Sequence, residues 1–466
     1  MIIPLIFDFF FFNTLSVWEC LLPILVTSFV GFLLFFANKT KERPQFNSSD
    51  TFLLTTSLWI IVPFFAGLPF YFNKALNFPF IDAWFEAVSA LTTTGFTIIK
   101  PANSQSLPIC ITMWRFILCY IGGMGMILMG IIIFPALRIG GMSLFRKESS
   151  EKDEKFFPRI SQVASRFALV YTLAMVCCAI LLKLTGVNTV DSICHTISAI
   201  STSGFSTYSN SILEFTNIWS EIVLVIAMIL GGTPLLLFVK IWENNLGILL
   251  KDQQFKGYIK TLIYFSIIVI VLIWIKTNNS FIESIRYGIL NTVSIITTTG
   301  FCVNDLSSLG AGVTALFFLI SLIGGCTGSA SGGIKIFRFQ IIIELIKIHI
   351  MQLCRPQNLF IPIYKDQKIT DQIILSVYTF ITLYFFSISI ITFILSLFNF
   401  DLLTSLSTAT ATIGNIGIGF GKIIGQNASI SSIPWGAKIV LIFGMIFGRL
   451  ELLTVLALFT SSFWRK

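Results

Sequence analysis

Charge is scarce in this chain of 466 residues: Asp, Glu, Lys and Arg make up 11% of it, whereas hydrophobic residues make up 55%. A soluble protein of this length needs far more charge, because its surface must face water. The mean hydropathy of +0.88 points the same way. The composition therefore excludes an ordinary soluble protein, and the length is best interpreted as a series of membrane crossings.

Histidine and paired cysteines are also rare. Only His195 and His349 occur, so a histidine-based metal site is not expected. The nine cysteines are scattered without any CxxC spacing, which is typical of small buried residues rather than of disulfides or metal ligands. The spans contain no paired carboxylates, no nucleophile–histidine set and no nucleotide motif. We therefore predict that the chain is not an enzyme and binds no cofactor of its own.

What the sequence does contain is a set of long apolar runs. A helix needs about 20 mainly apolar residues to cross a membrane. Segment 1–12 is too short to cross as a straight helix and lacks the basic region and cleavage site of a signal peptide, which leaves nine or ten spans open. The candidate spans lie near 17–37, 52–72, 112–136, 163–183, 219–239, 260–275, 313–334, 372–398 and 436–462.

The net charge of +9 comes from Lys and Arg that gather in alternate connectors. These connectors follow the runs 17–37, 112–136, 219–239 and 313–334. Basic connectors of membrane proteins stay in the cytoplasm, so the pattern predicts the orientation of the chain in the lipid bilayer. It does not indicate a nucleic-acid partner.

A repeated element occupies the opposite, basic-poor connectors. In each, a short half-apolar stretch leads into a tract of Thr, Ser and Gly, and a second apolar run follows. Repeats of this length decide a fold more firmly than any single motif. The four stretches are IDAWFEAVSALTTTGFT (81–97), VDSICHTISAISTSGFST (190–207), FIESIRYGILNTVSIITTTGF (281–301) and FDLLTSLSTATATIGNIGIGF (400–420).

The register of the repeats argues against chance. Asp82 and Asp191 lie at one distance before Gly95 and Gly204, and Glu86, His195 and Asn291 share one offset from their own tract glycines. In the fourth stretch, Gly414 keeps the Thr-x-Gly chemistry and the offset from Asp401, while Gly417 offers a competing register. Composition and spacing leave these two open.

Such tracts suit ion conduction. Non-helical backbone at membrane depth is tolerated where protein buries it or water lines it, and rings of carbonyl oxygens replace the hydration shell of a monovalent cation. Glycine allows the tight turn that this arrangement needs. The alternative, that the tracts are packing faces of small residues, fits less well because packing motifs lie inside long spans.

Several long stretches resemble the TrkH-type membrane subunit of bacterial potassium uptake systems, in the Trk/Ktr/HKT superfamily. The resemblance runs nearly from end to end. The stretches include FEAVSALTTTGFT (85–97), WRFILCYIGGMGMI (114–127), PRISQVASRF (158–167), ISTSGFST (200–207), TTTGF (297–301), IGGCTGSASGGIKIFR (323–338), IGNIGIGFG (413–421) and FGRLELLTVLALFTSSFWRK (447–466).

The resemblance implies an all-α polytopic fold with four M1–pore loop–M2 repeats in pseudo-fourfold symmetry around one pore, after an N-terminal helical extension. It favours Gly417 over Gly414. The divisions expected are 1–50 for the extension, whose first helix matches only the end of the family's, and 51–150, 151–255, 256–365 and 366–466 for the repeats. The backbone carbonyls expected to form the K⁺ filter are those of Thr93, Thr94, Gly95, Thr202, Ser203, Gly204, Thr298, Thr299, Gly300, Asn415, Ile416 and Gly417.

The resemblance also implies a gate under the filter and two kinds of protein partner. Arg449 is expected to lie near the gate. Family members are homodimers on a cytoplasmic TrkA-type nucleotide-binding subunit. Departures from the family are Ile418, where proline is usual, and GGTPLLLF (231–238), whose Pro234 predicts a kink. The gate residues implied are Gly324, Gly325, Gly328, Gly332 and Gly333.

Together these features predict potassium uptake across the inner membrane, driven by the membrane potential, with coupling to H⁺ or Na⁺ left open. One alternative is a Na⁺-preferring carrier of the same fold, against which Gly95 argues, because sodium-preferring relatives often carry Ser there. The other alternative is a membrane scaffold that transports nothing, which four retained tracts argue against.

Overall fold

The computed structural model describes the chain except residues 12–16, 40–47, 101–106, 130–159, 210, 216, 244–246, 248–250, 278–279, 304–308, 359, 366, 422–429, 451 and 465–466. The basic connector expected after 112–136 falls largely outside the described residues. Within them the protein is helical, with a short antiparallel hairpin of β1 (Ile363–Tyr364) and β2 (Gln367–Lys368). The main helices are α1 (Ile2–Phe11), α2 (Val17–Ala37), α3 (Ser48–Ala66), α4 (Leu68–Phe72), α5 (Phe80–Leu91), α6 (Ile109–Leu128), α7 (Ile160–Leu184), α8 (Thr189–Ile200), α9 (Ile218–Gly231), α10 (Leu235–Glu243), α11 (Gln253–Lys276), α12 (Phe281–Ile296), α13 (Ala311–Ser321), α14 (Ile336–Cys354), α15 (Asp371–Leu397), α16 (Leu402–Gly414), α17 (Trp435–Arg449), α18 (Leu452–Leu458) and α19 (Ser461–Trp464).

Long apolar helices dominate the fold, as the runs predict. Among the described residues, six stretches are long and apolar enough to cross a membrane, and a seventh is gained if α17 and α18 count as one bent span. The six are α2, the α3–α4 pair, α6, α7, α11 and α15. Helix α1 has only ten residues, so it is too short to cross as a straight helix, as expected.

Three of the nine predicted spans are wrong as continuous helices. The run 219–239 breaks between α9 and α10, where Pro234 cannot donate a backbone hydrogen bond. The run 313–334 stops being helical after Ser321, because the glycine-rich segment that follows is costly to keep helical. The run 436–462 bends by 110° between α17 and α18.

Four short helices precede the four Thr/Ser/Gly tracts. These are α5, α8, α12 and α16, of 12 to 16 residues, and their C-terminal halves are buried. Helix α12 begins after a capping box between Ser280 and Glu283. Helix α16 is capped by Asp401, whose carboxylate accepts from the backbone N–H of Thr404 at 3.2 Å. These two caps fix where α12 and α16 begin, whereas α5 and α8 have no side-chain cap.

Small residues let the following long helices approach the ends of the short ones. A β-carbon on Gly122 of α6 would collide with the carbonyl oxygen of Leu91, at the end of α5. A β-carbon on Gly231 of α9 would likewise collide with the carbonyl oxygen of Ile200, and one on Gly448 of α17 would collide with the carbonyl oxygen of Ile413. At three of the four tracts, a long helix therefore packs closely against the end of the short helix that precedes the tract.

Candidate functional site

The four tracts share one backbone conformation. In each, the residue two positions before the tract glycine has a positive φ, and the glycine has one too. Thr and Asn rarely adopt this conformation, which costs about 1–3 kcal/mol per residue and persists only where the surrounding structure imposes it. The φ values are 52° and 91° for Thr93 and Gly95, 57° and 73° for Thr202 and Gly204, 56° and 86° for Thr298 and Gly300, and 52° and 70° for Asn415 and Gly417.

A second shared feature fixes the register of the fourth tract. The residue before each glycine donates its N–H to the carbonyl five residues earlier, inside the short helix. Gly414 is the last residue of α16 and takes no part in this pattern, so Gly417 is the geometric equivalent of the other three glycines. The bonds run from Thr94 to Ser89 at 2.9 Å, Ser203 to Ser198 at 2.9 Å, Thr299 to Ser294 at 2.8 Å and Ile416 to Ala411 at 2.9 Å.

The tracts meet in a closed cycle. A β-carbon on any tract glycine would collide with a backbone carbonyl oxygen of the next tract, so only glycine fits at these four points. The fourth tract contacts the first, which closes the ring in chain order. The oxygen concerned belongs to Ser203 for Gly95, to Thr299 for Gly204, to Ile416 for Gly300 and to Thr94 for Gly417.

Several side chains of the tracts bond one another. Thr92 and Thr94 share a hydrogen bond of 2.7 Å between their hydroxyls, as do Thr297 and Thr299. Asn415 donates its amide to the hydroxyl of Thr94 at 2.9 Å. Neighbouring tracts are therefore in contact both through such side-chain bonds and through backbone carbonyls.

The common offset of Glu86, His195 and Asn291 has a physical meaning. Each side chain reaches from its short helix to the segment just after the tract. Glu86 accepts from the backbone of Ile98 at 2.9 Å, His195 Nε2 is 2.9 Å from the Ser206 hydroxyl, and Asn291 accepts from Val303 at 3.1 Å. In the fourth unit Ser407 accepts from Phe420 at 3.1 Å, a bond that the sequence analysis missed because Ser407 stands one position out of register.

Arg115 is a site residue that the sequence analysis did not single out. Its guanidinium pairs with Glu86 at 3.3 Å, donates to the carbonyl of Ser206 at 3.2 Å and lies 4.7 Å from the ring centroid of Phe205. Both charged side chains are buried, and such a pair is costly to break. Arg115 therefore ties the first unit to the second tract, and an arginine inside an apolar run was the available clue.

The glycine-rich segment between α13 and α14 lies against the tracts. The N–H of Gly332 donates to the hydroxyl of Thr298 at 2.7 Å, so this segment is bonded directly to the third tract. A β-carbon on Gly332 would also collide with the carbonyl of Gly414 at the end of α16. On its other side, the segment bonds α9 through Cys326 and Ala330, which donate to the carbonyls of Gly232 at 2.9 Å and Gly231 at 3.1 Å.

The five glycines predicted to form a gate all lie in this segment. Gly328 and Gly333 have positive φ values of 75° and 65°. A β-carbon on Gly324 would collide with the carbonyl of Gly332, and one on Gly325 would lie 2.5 Å from the hydroxyl of Ser331. The segment is therefore a compact turn closed by a parallel bridge between Ile323 and Ile334, not a distorted helix.

Two cations bond this turn. Arg449, at the end of α17, donates to the carbonyl of Ala330 at 2.8 Å and to that of Gly122 at 3.3 Å, and it is almost fully buried. Lys335 donates to the carbonyl of Ser331, which is the next oxygen along the turn. Glu451, two positions after Arg449, is an alternative local partner in the sequence and lies outside the described residues.

A cavity under the turn concentrates positive charge. Lys335, Arg338 and Arg449 all line it, together with Tyr384 and the backbone of the turn. Arg338 lies 3.5 Å from the ring centroid of Phe380, a close cation–π contact. Of these three cations, the sequence predicts only Arg449 at this site.

Comparison with known proteins identifies the family of this chain. A family model described as TrkH, cation transport protein, matches residues 21–466. The chain is 34% identical to the Trk system potassium uptake protein TrkI of Halomonas elongata, over 89% of this chain and 84% of that protein. It is 32% identical to TrkG of Escherichia coli K12, over 94% of this chain and 91% of that protein.

A solved structure agrees too. The crystal structure of the potassium transporter TrkH from Vibrio parahaemolyticus superposes with a TM-score of 0.90 and 27% sequence identity, over all of this chain and 96% of that one. The family consists of transporters and not of enzymes. The chain therefore belongs to the TrkH family of cation transport proteins and is a multi-pass protein of the inner membrane.

Proposed function

We propose that the chain takes up K⁺ through the ring formed by its four tracts. The observation that carries the proposal is the closed cycle of carbonyl contacts around Gly95, Gly204, Gly300 and Gly417. Carbonyl oxygens replace the water around a monovalent cation without any titrating group. The relatives that match over most of this chain are named as potassium uptake proteins, which favours K⁺ over Na⁺.

The residues proposed to form the filter belong to the four tracts and act through their backbone. The units 51–150, 151–255, 256–365 and 366–466 each contribute one tract, after the extension 1–50. The filter comprises Thr93, Thr94, Gly95, Thr202, Ser203, Gly204, Thr298, Thr299, Gly300, Asn415, Ile416 and Gly417.

The membrane potential is the proposed driving force. A potential that is negative inside contributes about 2.3 kcal/mol per charge per 100 mV, which concentrates K⁺ in the cell without ATP at this chain. This driving force needs no second ion. Coupling to H⁺ or Na⁺ is therefore an addition to the proposal and not a condition of it.

The turn at Gly324–Gly333 is the proposed gate, with Gly324, Gly325, Gly328, Gly332, Gly333 and Arg449 as its parts. Support comes from its contacts with Thr298 and Gly414 and from the carbonyl that Arg449 holds. Such hydrogen bonds hold the turn in place, so the proposed gate opens when they break together. A homodimer on a TrkA-type cytoplasmic subunit is the proposed assembly, since TrkI and TrkG are named as parts of Trk systems.

The test is Rb⁺ uptake with Na⁺ competition in cells that lack their own K⁺ uptake and also make the cytoplasmic partner. We expect the chain to restore growth at low K⁺, and Gly204→Ser to reduce the preference for K⁺ over Na⁺. The matched control is Gly186→Ser, since Gly186 has a positive φ of 99° with nothing within 4 Å of its β-carbon position.

Three outcomes would contradict parts of the proposal. Growth restored equally by Na⁺ would indicate the sodium carrier, and no uptake of either ion would indicate the scaffold. If Gly204→Ser and Gly186→Ser change the preference for K⁺ over Na⁺ equally, the tract does not select the ion. The change would then come from backbone strain, which both variants share.

A further inference from the structure

Two cysteines that are distant in the sequence meet near the ends of their helices. The sulfurs of Cys20 and Cys110 are 2.9 Å apart, although 90 positions separate the residues. Both side chains are buried, at 4% and 2% exposure. A disulfide bond is about 2.05 Å long, so the two sulfurs need to approach by less than about 1 Å to form one.

Both cysteines lie at the outer face of the membrane according to the charge pattern. Cys20 is in the first turn of α2, and the basic residues Lys39, Lys41 and Arg43 follow the other end of that helix. Cys110 is the second residue of α6, and the basic connector follows the other end of α6 as well. Basic connectors are cytoplasmic, so the cysteine ends face outwards, where disulfides form and persist.

The helix that carries Cys20 has little else to hold it. Among the six candidate spans, α2 buries the smallest share of its residues, and Leu25, Phe29 and Leu33 are more than half exposed. It packs on α4 and α1, and Asn73 at the end of α4 donates to Glu19 at 2.9 Å. A covalent bond at Cys20 would therefore attach a peripheral helix to the first tract's own long helix.

We propose that Cys20 and Cys110 form a disulfide that joins the N-terminal extension to α6. The oxidant is a protein of the oxidising compartment that bears a reactive disulfide. The Cys20 thiolate attacks one of its sulfurs, forms a mixed disulfide and releases a thiolate. The Cys110 thiolate then attacks the Cys20 sulfur and releases the second thiolate. The pair loses two electrons and two protons in all, and the oxidant's disulfide is reduced to a dithiol.

The burial of both thiols sets the order of events. A buried cysteine is inert to exchange, because neither oxidant nor water reaches it. The exchange therefore takes place while α2 is still separate from α6, and packing of α2 then encloses the bond. This order also explains why the finished bond would resist reductants added to intact membranes.

The experiment counts oxidised cysteines in the full chain taken from cell membranes. Free thiols are trapped in acid and then blocked with N-ethylmaleimide under denaturing conditions. Disulfides are reduced next, and the cysteines that they release are labelled with a maleimide that carries polyethylene glycol. We expect two labels per chain among the nine cysteines, and none when a reductant precedes the block. Proteolysis and mass spectrometry of the unlabelled chain should give a linked peptide that contains both residues.

Matched variants identify the pair. The double variant Cys20→Ser with Cys110→Ser should lose both labels. Cys119→Ser should keep them, although Cys119 is buried in the same helix α6. If the unaltered chain carries no label, the proposal is overturned, and this result does not depend on whether a variant folds. Two labels that persist in the double variant would overturn it as well, and uptake of K⁺ plays no part in either result.

Discussion

Arg449 is the charged residue of the proposed gate. It is almost fully buried at the end of α17 and donates to the carbonyls of Ala330 and Gly122. Hydrogen bonds to charged groups contribute about 1.5–3 kcal/mol each. We expect Arg449→Ala to raise the rate of Rb⁺ uptake about tenfold or more while leaving the preference for K⁺ over Na⁺ nearly unchanged.

A conservative variant separates the charge of Arg449 from its hydrogen bonds. Arg449→Lys keeps the positive charge but cannot bond two carbonyls with a planar group. An intermediate rate would assign part of the effect to each. If Arg449→Ala leaves the rate of uptake unchanged, the residue has a structural role only.

Asp401 illustrates what spacing can miss at this scale. Its offset from Gly414 equals that of Asp82 from Gly95, which left both Gly414 and Gly417 open as the glycine of the fourth tract. The structure has Asp401 as the N-cap of α16, whereas Asp82 is inside the first turn of α5. The two aspartates are therefore not equivalent, and the backbone φ of Asn415 and Gly417 gives the register.

At the scale of elements, the turn between α13 and α14 depends on its bond to the third tract. The hydroxyl of Thr298 accepts from Gly332 at 2.7 Å, and Thr298→Val removes that acceptor without changing the shape of the side chain. A neutral hydrogen bond contributes about 1 kcal/mol, which corresponds to about fivefold in an equilibrium. We expect Thr298→Val to raise Rb⁺ uptake by about that factor.

Thr202→Val is the control for this prediction. Thr202 has nearly the same φ as Thr298, 57° against 56°, but its hydroxyl donates to the carbonyl of Ser201 in its own tract. We expect little change in the rate from it. An equal rise in both variants would assign the effect to the tract backbone and not to the proposed gate.

The elements themselves were predictable to different degrees. Apolar runs of about 20 residues predicted most spans, because a helix that crosses lipid must satisfy its own backbone. The runs 219–239, 313–334 and 436–462 were wrong as continuous helices for a common reason. Hydrophobicity reports burial, and it does not distinguish a helix in lipid from a bent chain enclosed by protein.

At the scale of the whole molecule, the ring closes between distant parts of the chain. Lys438 of α17 pairs with Asp82 of α5 at 2.7 Å, although 356 positions separate them, and both side chains are buried. Breaking a buried pair by removing one partner costs about 3–5 kcal/mol. We expect Asp82→Asn to lower the melting temperature of the protein, as measured in detergent by thiol-reactive dye or light scattering.

Two further variants test whether the pair itself is responsible. Adding Lys438→Met to Asp82→Asn should recover much of the loss, because no buried charge is then left alone. Glu344→Gln is the control, since Glu344 and Lys347 form an exposed pair at 3.8 Å. If Glu344→Gln destabilises the protein as much as Asp82→Asn does, burial of the pair is not the cause.

The sequence by itself determined the membrane class, the four tracts and three of their glycines, because apolar length and repeat spacing are local properties of the chain. Only the tertiary structure decided which groups face one another. The contacts of Arg115 with the second tract, of Thr298 with the turn and of Cys20 with Cys110 join positions far apart in the sequence. Spacing along a chain carries no information about such pairs until the helices are packed together.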